Sequence, residues 1–348
     1  MRYIKPFQLY YYYSPSPQAM PFFQPHVAAN PAGVRLEGKT AIVTGANSGI
    51  GFETARQLLE IGISTVVLAV RNLGKGELAK HDLLATTSAT AVTDIRVMQL
   101  DVADVTSVIA FVKQVSASIN ALDILVLNAG LGMQSAYSTV PVTGHELIMQ
   151  VNYHSNALLI FELLPLLEAG ETPSRITWVG SRMLHSHTPL RKVKSTRPLA
   201  WLDPTENYKA FPRYSESKLV AAMFMYEFAK RVDPTKVQIN MLCPGMVITN
   251  IENNETPFLV RILVTMIKKI IGRTAGEGAR IVMHAAVHAG IGTHGEFLGD
   301  ATIEPVDEFI ASDFGQIIQR NVWTETLEEL LQHVTEERKP DIQRWLTK

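Results

Sequence analysis

Cysteine is nearly absent from this chain: Cys243 is the only one in 348 residues. An intrachain disulfide is therefore excluded, and a reducing compartment is the simpler setting. Excess charge of either sign is also missing, since the formal net charge is −1. No basic field advertises nucleic acid, and none is expected as a partner. No apolar run reaches the roughly 18 residues of a spanning helix, so no transmembrane span is expected. His145, His154, His185 and His187 show no ligand spacing with cysteines or carboxylates. No metal is expected, and incidental roles are assigned to these histidines. What the chain does have is 47% apolar and 19% charged residues, the balance of a well-buried globular protein.

Residues 1–35 stand apart. Tyr10 to Tyr13 follow one another, then Pro15, Pro17, Pro21, Pro25 and Pro31. There is no continuous apolar stretch and no small-residue cleavage site, so a secretory signal is not expected. The composition predicts a disordered N-terminal extension. The density of aromatics leaves open a segment that packs over the core or joins a subunit contact.

From Gly38 onward strands and helices alternate. The strand candidates are 40–44, 64–70, 95–100, 124–127, 175–179 and 237–242, and helical patterns cover 49–61, 75–84, 105–118, 143–167 and 214–231. Apolar strands without alternation, separated by helices, imply a parallel sheet covered on both faces. Right-handed crossovers make this a doubly wound Rossmann-type α/β fold. One domain over 36–330 is predicted, followed by a helix or tail over 331–348. Two polar stretches, 185–207 and 250–272, come after strand ends and are expected to border the ligand crevice. The second becomes an apolar run from Phe258 to Ile271. Read as a substrate lid, it would exclude water from the reacting centre; core or dimer packing and an interfacial helix are the other readings.

The segment Lys39 to Gly51 is the most informative. A short apolar strand runs into Thr44-Gly45-Ala46-Asn47-Ser48-Gly49-Ile50-Gly51 and then into a helical pattern. A glycine-rich strand-to-helix turn lets backbone N–H groups approach a phosphate, and a helix N-terminus favours negative charge there. A nucleotide is therefore expected. The spacing Gly-x3-Gly-x-Gly differs from the commonest dinucleotide fingerprint.

That spacing resembles the cofactor motif of the short-chain dehydrogenase/reductase family. Further matches come in order: Asp101-Val102 after the third strand, Asn128-Ala129-Gly130 after the fourth, and Ser181 after the fifth. Tyr214-Ser215-Glu216-Ser217-Lys218 then opens a helix, and Pro244-Gly245-Met246-Val247-x-Thr249 comes after the sixth strand. The resemblance covers roughly residues 36–330. It implies that Gly45, Asn47, Ser48, Gly49, Ile50 and Gly51 cradle a dinucleotide, and that Asp101 and Val102 meet its adenine edge. Asn128, Ala129, Gly130, Pro244, Gly245, Val247 and Thr249 complete the implied cofactor contacts. It also implies Tyr214 as acid/base, Lys218 as its partner and a ribose contact, Ser181 as the substrate-oxygen donor, and Asn152 as support for a proton relay.

Tyr214 and Lys218 also stand on physical grounds. Four residues apart on a helix, they share a face. A cation within about 4 Å, at an effective dielectric near 20, is worth on the order of 4 kcal/mol. That would bring a phenol from near ~10 toward the range useful for proton transfer. The family places its serine about a dozen residues before its tyrosine, whereas 33 residues separate positions 181 and 214 here. A loop must absorb the difference.

Cofactor choice rests on the end of the second strand, Val67-Leu68-Ala69-Val70-Arg71-Asn72. An acidic residue there would hold the ribose 2′-hydroxyl of NAD. There is none. Arg71 has the planar cation that suits a 2′-phosphate, and Lys75 is a second phosphate partner. NADP(H) is predicted. The segments Leu68 to Gly76 and Arg273-Thr274-x2-Glu277-Gly278, with Trp323, resemble the retinol-dehydrogenase-like branch and its secondary-metabolite reductases in fungi and plants. The expected activity interconverts a carbonyl and an alcohol on a bulky apolar small molecule. Substrate loops are expected at 182–210 and 250–275. The alternatives are a membrane-associated retinoid- or steroid-type dehydrogenase and a non-catalytic NADP-binding sensor. A cytoplasmic location and a homo-oligomer are the expectations, with peripheral membrane contact left open.

Overall fold

The computed structural model describes residues 24–25, 27–28, 31, 33–87, 93–248 and 272–346. Seven parallel strands and one antiparallel edge strand form a single sheet in the order β3-β2-β1-β4-β5-β6-β7-β8. These are Thr40–Thr44 (β1), Thr65–Val70 (β2), Asp94–Gln99 (β3), Ile124–Leu127 (β4), Ser174–Val179 (β5), Val237–Cys243 (β6), Phe297–Gly299 (β7) and Thr302–Ile303 (β8). The strand order reverses between β1 and β4, and this switch opens a crevice beyond their carboxyl ends. The doubly wound expectation is met.

The strands are apolar on both faces because both are covered. Ile42, Val67, Leu125, Ile176 and Trp178 belong to one core, under Val105–Ser116 (α1), Ser155–Glu168 (α2), Ala210–Ala229 (α3) and Asp313–His333 (α4). Ala41, Val43, Val66, Leu68 and Val126 belong to the other, under Gly49–Glu60 (α5) and Ala275–Met283 (α6). Leu73–Thr86 (α7) comes after β2.

Three sequence expectations are adjusted. The helix expected over 143–167 is broken. Glu146 accepts from the Ile148 and Met149 N–H groups, at 3.1 and 3.2 Å, and so starts the helix late. Gln150–His154 then widens into a π turn, where Asn156 Nδ2 donates to the carbonyls of Val151 and Asn152. The tyrosine helix begins at Ala210, four residues before Tyr214. Pro212 is tolerated there because N–H groups of a first turn have no helical partner. A boundary at 330 falls inside the continuous α4, and the last helix, Lys339–Leu346 (α8), packs back. Trp345 lies 5.2 Å from Phe161 and 5.6 Å from Trp323, ring centroid to centroid.

The long stretch between Ser181 and Tyr214 is not an open loop. Leu184, Leu190, Leu199 and Leu202 are buried in the first core. Glu325 of α4 accepts from the Leu199 and Ala200 N–H groups, both at 2.8 Å, and caps the short helix Pro198–Leu202. His185 and Arg191 both bind the Asp307 carboxylate, at 2.8 and 2.9 Å. Residues 1–35 touch the body where they are described: Val27 is buried in the second core and Gln24 is hydrogen-bonded to Met246. The expected lid, Phe258 to Ile271, and Thr249 lie outside the described residues.

Candidate active site

The switch point holds a cleft of about 1110 Å³. Its floor is pinned by Thr44, which sequence reasoning passed over. Thr44 Oγ1 accepts from the Asn128 and Ala129 N–H groups at 2.9 and 2.8 Å, and Asn128 Nδ2 donates to the Thr44 carbonyl at 2.8 Å. These bonds tie the ends of β1 and β4 together. Gly45, Asn47, Ser48, Gly49, Ile50, Arg71, Lys75, Asp101, Val102, Asn128, Ala129 and Gly130 all line the cleft. Gly51 does not line it but is buried behind it. A Cβ there would sit 2.5 Å from the Gly45 carbonyl oxygen and 2.6 Å from Asn128 Nδ2. Gly45, at φ +68°, holds a left-handed turn that side chains resist.

The residues present fit a dinucleotide. The helix α5 begins without an acidic residue in its first turn, and the Ser48 side chain does not cap it. Its first N–H groups and the positive end of its dipole therefore point at the cleft without internal competition. Arg71 and Lys75 both line the cleft, and Asn72 Oδ1 accepts from the Lys75 N–H at 2.9 Å to fix the turn between them. Two carboxylates also line the cleft, Asp82, two turns further along α7, and Asp101. Leu131, Gln134, Leu147, Val151, Ile248 and Ala275 also line the cleft; of these, Ala275 falls within the substrate loop expected over 250–275.

The proposed catalytic residues, none of them among those that line the cleft, are linked in part to the ends of β4 and β5. Lys218 is buried, and its Nζ donates to the Val179 carbonyl at 3.0 Å. The ammonium lies 5.6 Å from the centre of the Tyr214 ring. Burial pushes the Lys218 pKa down to about 8. Asn152 joins two elements. Its Oδ1 accepts from the Leu131 N–H at 2.8 Å, and its Nδ2 donates to the Leu131 carbonyl and to Ser217 Oγ, both at 3.0 Å. Ser217 Oγ in turn donates to the Tyr214 carbonyl at 2.7 Å. Ser181 comes after β5 and accepts from the Met183 N–H at 3.2 Å, which caps the turn Arg182–His185. That turn packs against α3, the helix of Tyr214. Pro244, Gly245 and Val247 come after β6, behind the lining residue Ile248.

Arg213, next to Tyr214, carries a signal the sequence did not yield. It is fully buried, and its guanidinium pairs with Glu146 and Glu216, each at 3.2 Å. Burial raises the pKa of both carboxyls, against the pull of Arg213. Glu216 Oε1 also accepts from the Leu190 N–H at 3.2 Å, and Arg213 Nη2 donates to the Asn207 carbonyl at 3.3 Å. The triad thus ties the insertion, the Asn152 region and the start of α3 together.

Two of the histidines given incidental roles also meet. His145 and His154 stack with ring centroids 3.9 Å apart and planes 5° apart. Glu329 reaches both, at 2.7 Å to His145 Nε2 and 3.0 Å to His154 Nδ1. Parallel stacked rings share no point in both ring planes, where a common metal would sit, so the cluster is a charge pair. Burial opposes a cation at His145, but Asp203 and Glu329 outweigh it and raise its pKa to about 10.

Comparison with known proteins agrees with this architecture. A family model described as short chain dehydrogenase matches residues 39–192 and 204–259. The interval it skips lies inside the insertion before Tyr214. The short chain dehydrogenase macD of Penicillium terrestre is 44% identical over 319 residues, covering 88% of this chain and 95% of that protein. The short-chain dehydrogenase/reductase tropG of Talaromyces stipitatus is 43% identical over 321 residues, covering 89% and 96%. In fold, the Pseudomonas aeruginosa RhlG/NADP active-site complex aligns with a TM-score of 0.56 at 24% identity, over 76% of this chain and 95% of that one. The E. coli oxidoreductase yciK aligns with a TM-score of 0.59 at 19% identity, over 78% and 98%. With its switch-point cleft, glycine turn and this similarity over most of its length, the chain is an oxidoreductase of the short-chain dehydrogenase/reductase family.

Proposed function

We propose that this oxidoreductase is NADP(H)-dependent and interconverts a carbonyl and an alcohol on a bulky, apolar small molecule, of the kind tailored in secondary metabolism. The observation that carries the reading is Lys218, a buried ammonium held by the Val179 carbonyl beside the ring of Tyr214. A buried, unneutralised cation is costly, and next to a phenol it favours the phenolate. Arg71 and Lys75, with no acidic residue at the end of β2, support NADP(H) over NAD(H).

The dinucleotide, when bound, supplies or receives the hydride. In the reductive direction Tyr214 gives its phenolic proton to the substrate oxygen. Lys218 stabilises the phenolate left behind. The Ser181 oxygen accepts from the Met183 N–H, which leaves its own O–H free to donate to the substrate oxygen. The Asn152 amide is committed to Leu131 and Ser217. Its support of the proton path is therefore positional: it holds the loop after β4 against the tyrosine helix. The apolar wall formed by Leu131, Leu147, Val151 and Ile248 suits an apolar substrate. Among the described residues no helix is long and apolar enough to cross a membrane, which supports a reading without a membrane span.

A panel of ketones and aldehydes, monitored by loss of reduced-nicotinamide absorbance with NADPH and with NADH, tests the proposal. Turnover of apolar carbonyls with NADPH preferred is the expected result. Preference for NADH, or reduction of small polar carbonyls alone, would contradict it.

A further inference from the structure

The N-terminal segment makes contacts that the family resemblance does not cover. Gln24 Oε1 accepts from the Met246 N–H at 2.8 Å, and Gln24 Nε2 donates to the Met246 carbonyl at 2.9 Å. One amide side chain thus satisfies both main-chain groups of one residue, as a neighbouring strand would. Arg273 Nη2 donates to the Pro25 carbonyl at 2.8 Å, and its Nη1 to the Pro244 carbonyl at 3.3 Å. Arg280 Nη1 donates to the Val27 carbonyl at 2.9 Å, and the Val27 side chain is buried in the second core.

These contacts converge on the turn at Gly245, where an added Cβ would meet Gln24 and Arg273. Gly245 has φ +81°, a conformation that glycine adopts freely and other residues resist. Arg273 N–H donates to the Met246 carbonyl at 2.8 Å, and Ile248 N–H to the Arg273 carbonyl at 2.9 Å, giving a short parallel bridge. Two residues beyond Met246 is Ile248, and two beyond Arg273 is Ala275; both line the cleft. Displacement of Met246 would therefore move the cleft wall.

We propose that Gln24, Pro25 and Val27 form a positioning strap for the cofactor cleft, with Gln24 setting the loop after β6 through the main chain of Met246. The proposal rests on the reading of the cleft as an NADP(H) site. Gln24 is not among the residues that line the cleft. It acts through Met246, so its loss should alter cofactor affinity out of proportion to fold stability. Val27 supplies the contrast, because it anchors the same segment by apolar burial and is buried in the second core rather than bonded to Met246.

The test compares Gln24→Ala and Val27→Ala in the full-length chain. NADPH affinity is read by nicotinamide fluorescence and stability by thermal unfolding. Release of the Met246 main chain predicts a Kd for NADPH about tenfold weaker in Gln24→Ala, with a fall in Tm no larger than that of Val27→Ala. Gln24→Glu keeps the acceptor but sets a carboxylate oxygen against the Met246 carbonyl, and should bind NADPH no better than Gln24→Ala. If both Gln24 variants bind NADPH as wild type does, the strap has no role at the cleft and the proposal is overturned. The same holds if affinity and Tm fall in step across all three variants, which is the signature of a staple alone. Wild-type protein that binds neither NADPH nor NADH would overturn the reading of the cleft, a different result from wild-type binding with indifferent Gln24 variants.

Discussion

Lys218 Nζ and the carbonyl oxygen of Val179 are 3.0 Å apart, and this bond fastens the tyrosine helix to the end of β5. The carbonyl partly replaces lost water, yet burial still lowers the Lys218 pKa to about 8. The charge that favours a Tyr214 phenolate is thus present at neutral pH and lost as pH rises past about 8. The reductive kcat/KM should be level below that point and fall above it. Lys218→Arg, whose guanidinium keeps its charge, should move the fall to higher pH. A fall that stays in place in the variant would assign it to another group. The linkage sign is also fixed. The native value lies below the ordinary 10.5, so the unfolded chain binds more protons between about 8 and 10.5. This group's contribution to stability grows across that window and is lost as pH falls through about 8.

Arg71 should set cofactor preference. Arg71→Ala removes a charge-assisted contact of about 1.5–3 kcal/mol, so kcat/KM with NADPH should fall by about 10- to 100-fold while that with NADH changes little. Steady-state kinetics with both cofactors reads the ratio directly. An unchanged ratio would leave Arg71 as a solvated surface charge.

Arg213 should matter to stability more than its surroundings suggest. Its loss leaves the Glu146 and Glu216 carboxylates facing each other in the interior. Arg213→Met should destabilise by about 3–5 kcal/mol in denaturant unfolding. Adding Glu146→Gln and Glu216→Gln should restore part of that loss, because the buried charges go with the arginine. A triple variant less stable than the single one would show that the carboxylates are needed for themselves.

His145 makes a prediction of opposite sign to that of Lys218. Its native pKa of about 10 exceeds the ordinary 6.5. Its stabilisation is full below 6.5 and is lost as pH rises through about 10. The stability gap between wild type and His145→Gln should narrow across that interval. NMR should find the imidazole still protonated at neutral pH; a neutral ring there would refute the ion-pair assignment.

The parts of this molecule legible in the sequence are those set by local physics. The strand running from Thr40 into the glycine turn, the absence of an acid after Val70, and the four-residue spacing of Tyr214 and Lys218 each lie within a few residues. The fold was legible too, since alternation of apolar strands and helices decides the class. What escaped is made by distant pairs. Gln24 meets Met246 across 222 residues, and Arg213 meets Glu146 across 67. Neither leaves a mark on its own neighbourhood. The stretch from Ser181 to Tyr214 looked like a loop because its buried leucines, 184, 190, 199 and 202, are too sparse for a sustained pattern, with helical spacing only between 199 and 202. Leu199 and Leu202 sit on the short helix that packs against α4, far along the chain, and the turn that carries Leu184 packs against α3. The helix expected from Thr143 is interrupted by Glu146, whose carboxylate faces a buried arginine no pattern announces.

The central claim is that Tyr214 exchanges the proton with the substrate oxygen. The most direct measurement is NADPH binding and single-turnover reduction in Tyr214→Phe, which removes one oxygen and leaves the ring. The account predicts NADPH affinity within a few-fold of wild type and a reduction rate lower by about 10²–10⁴. Reduction at the wild-type rate by Tyr214→Phe would contradict it.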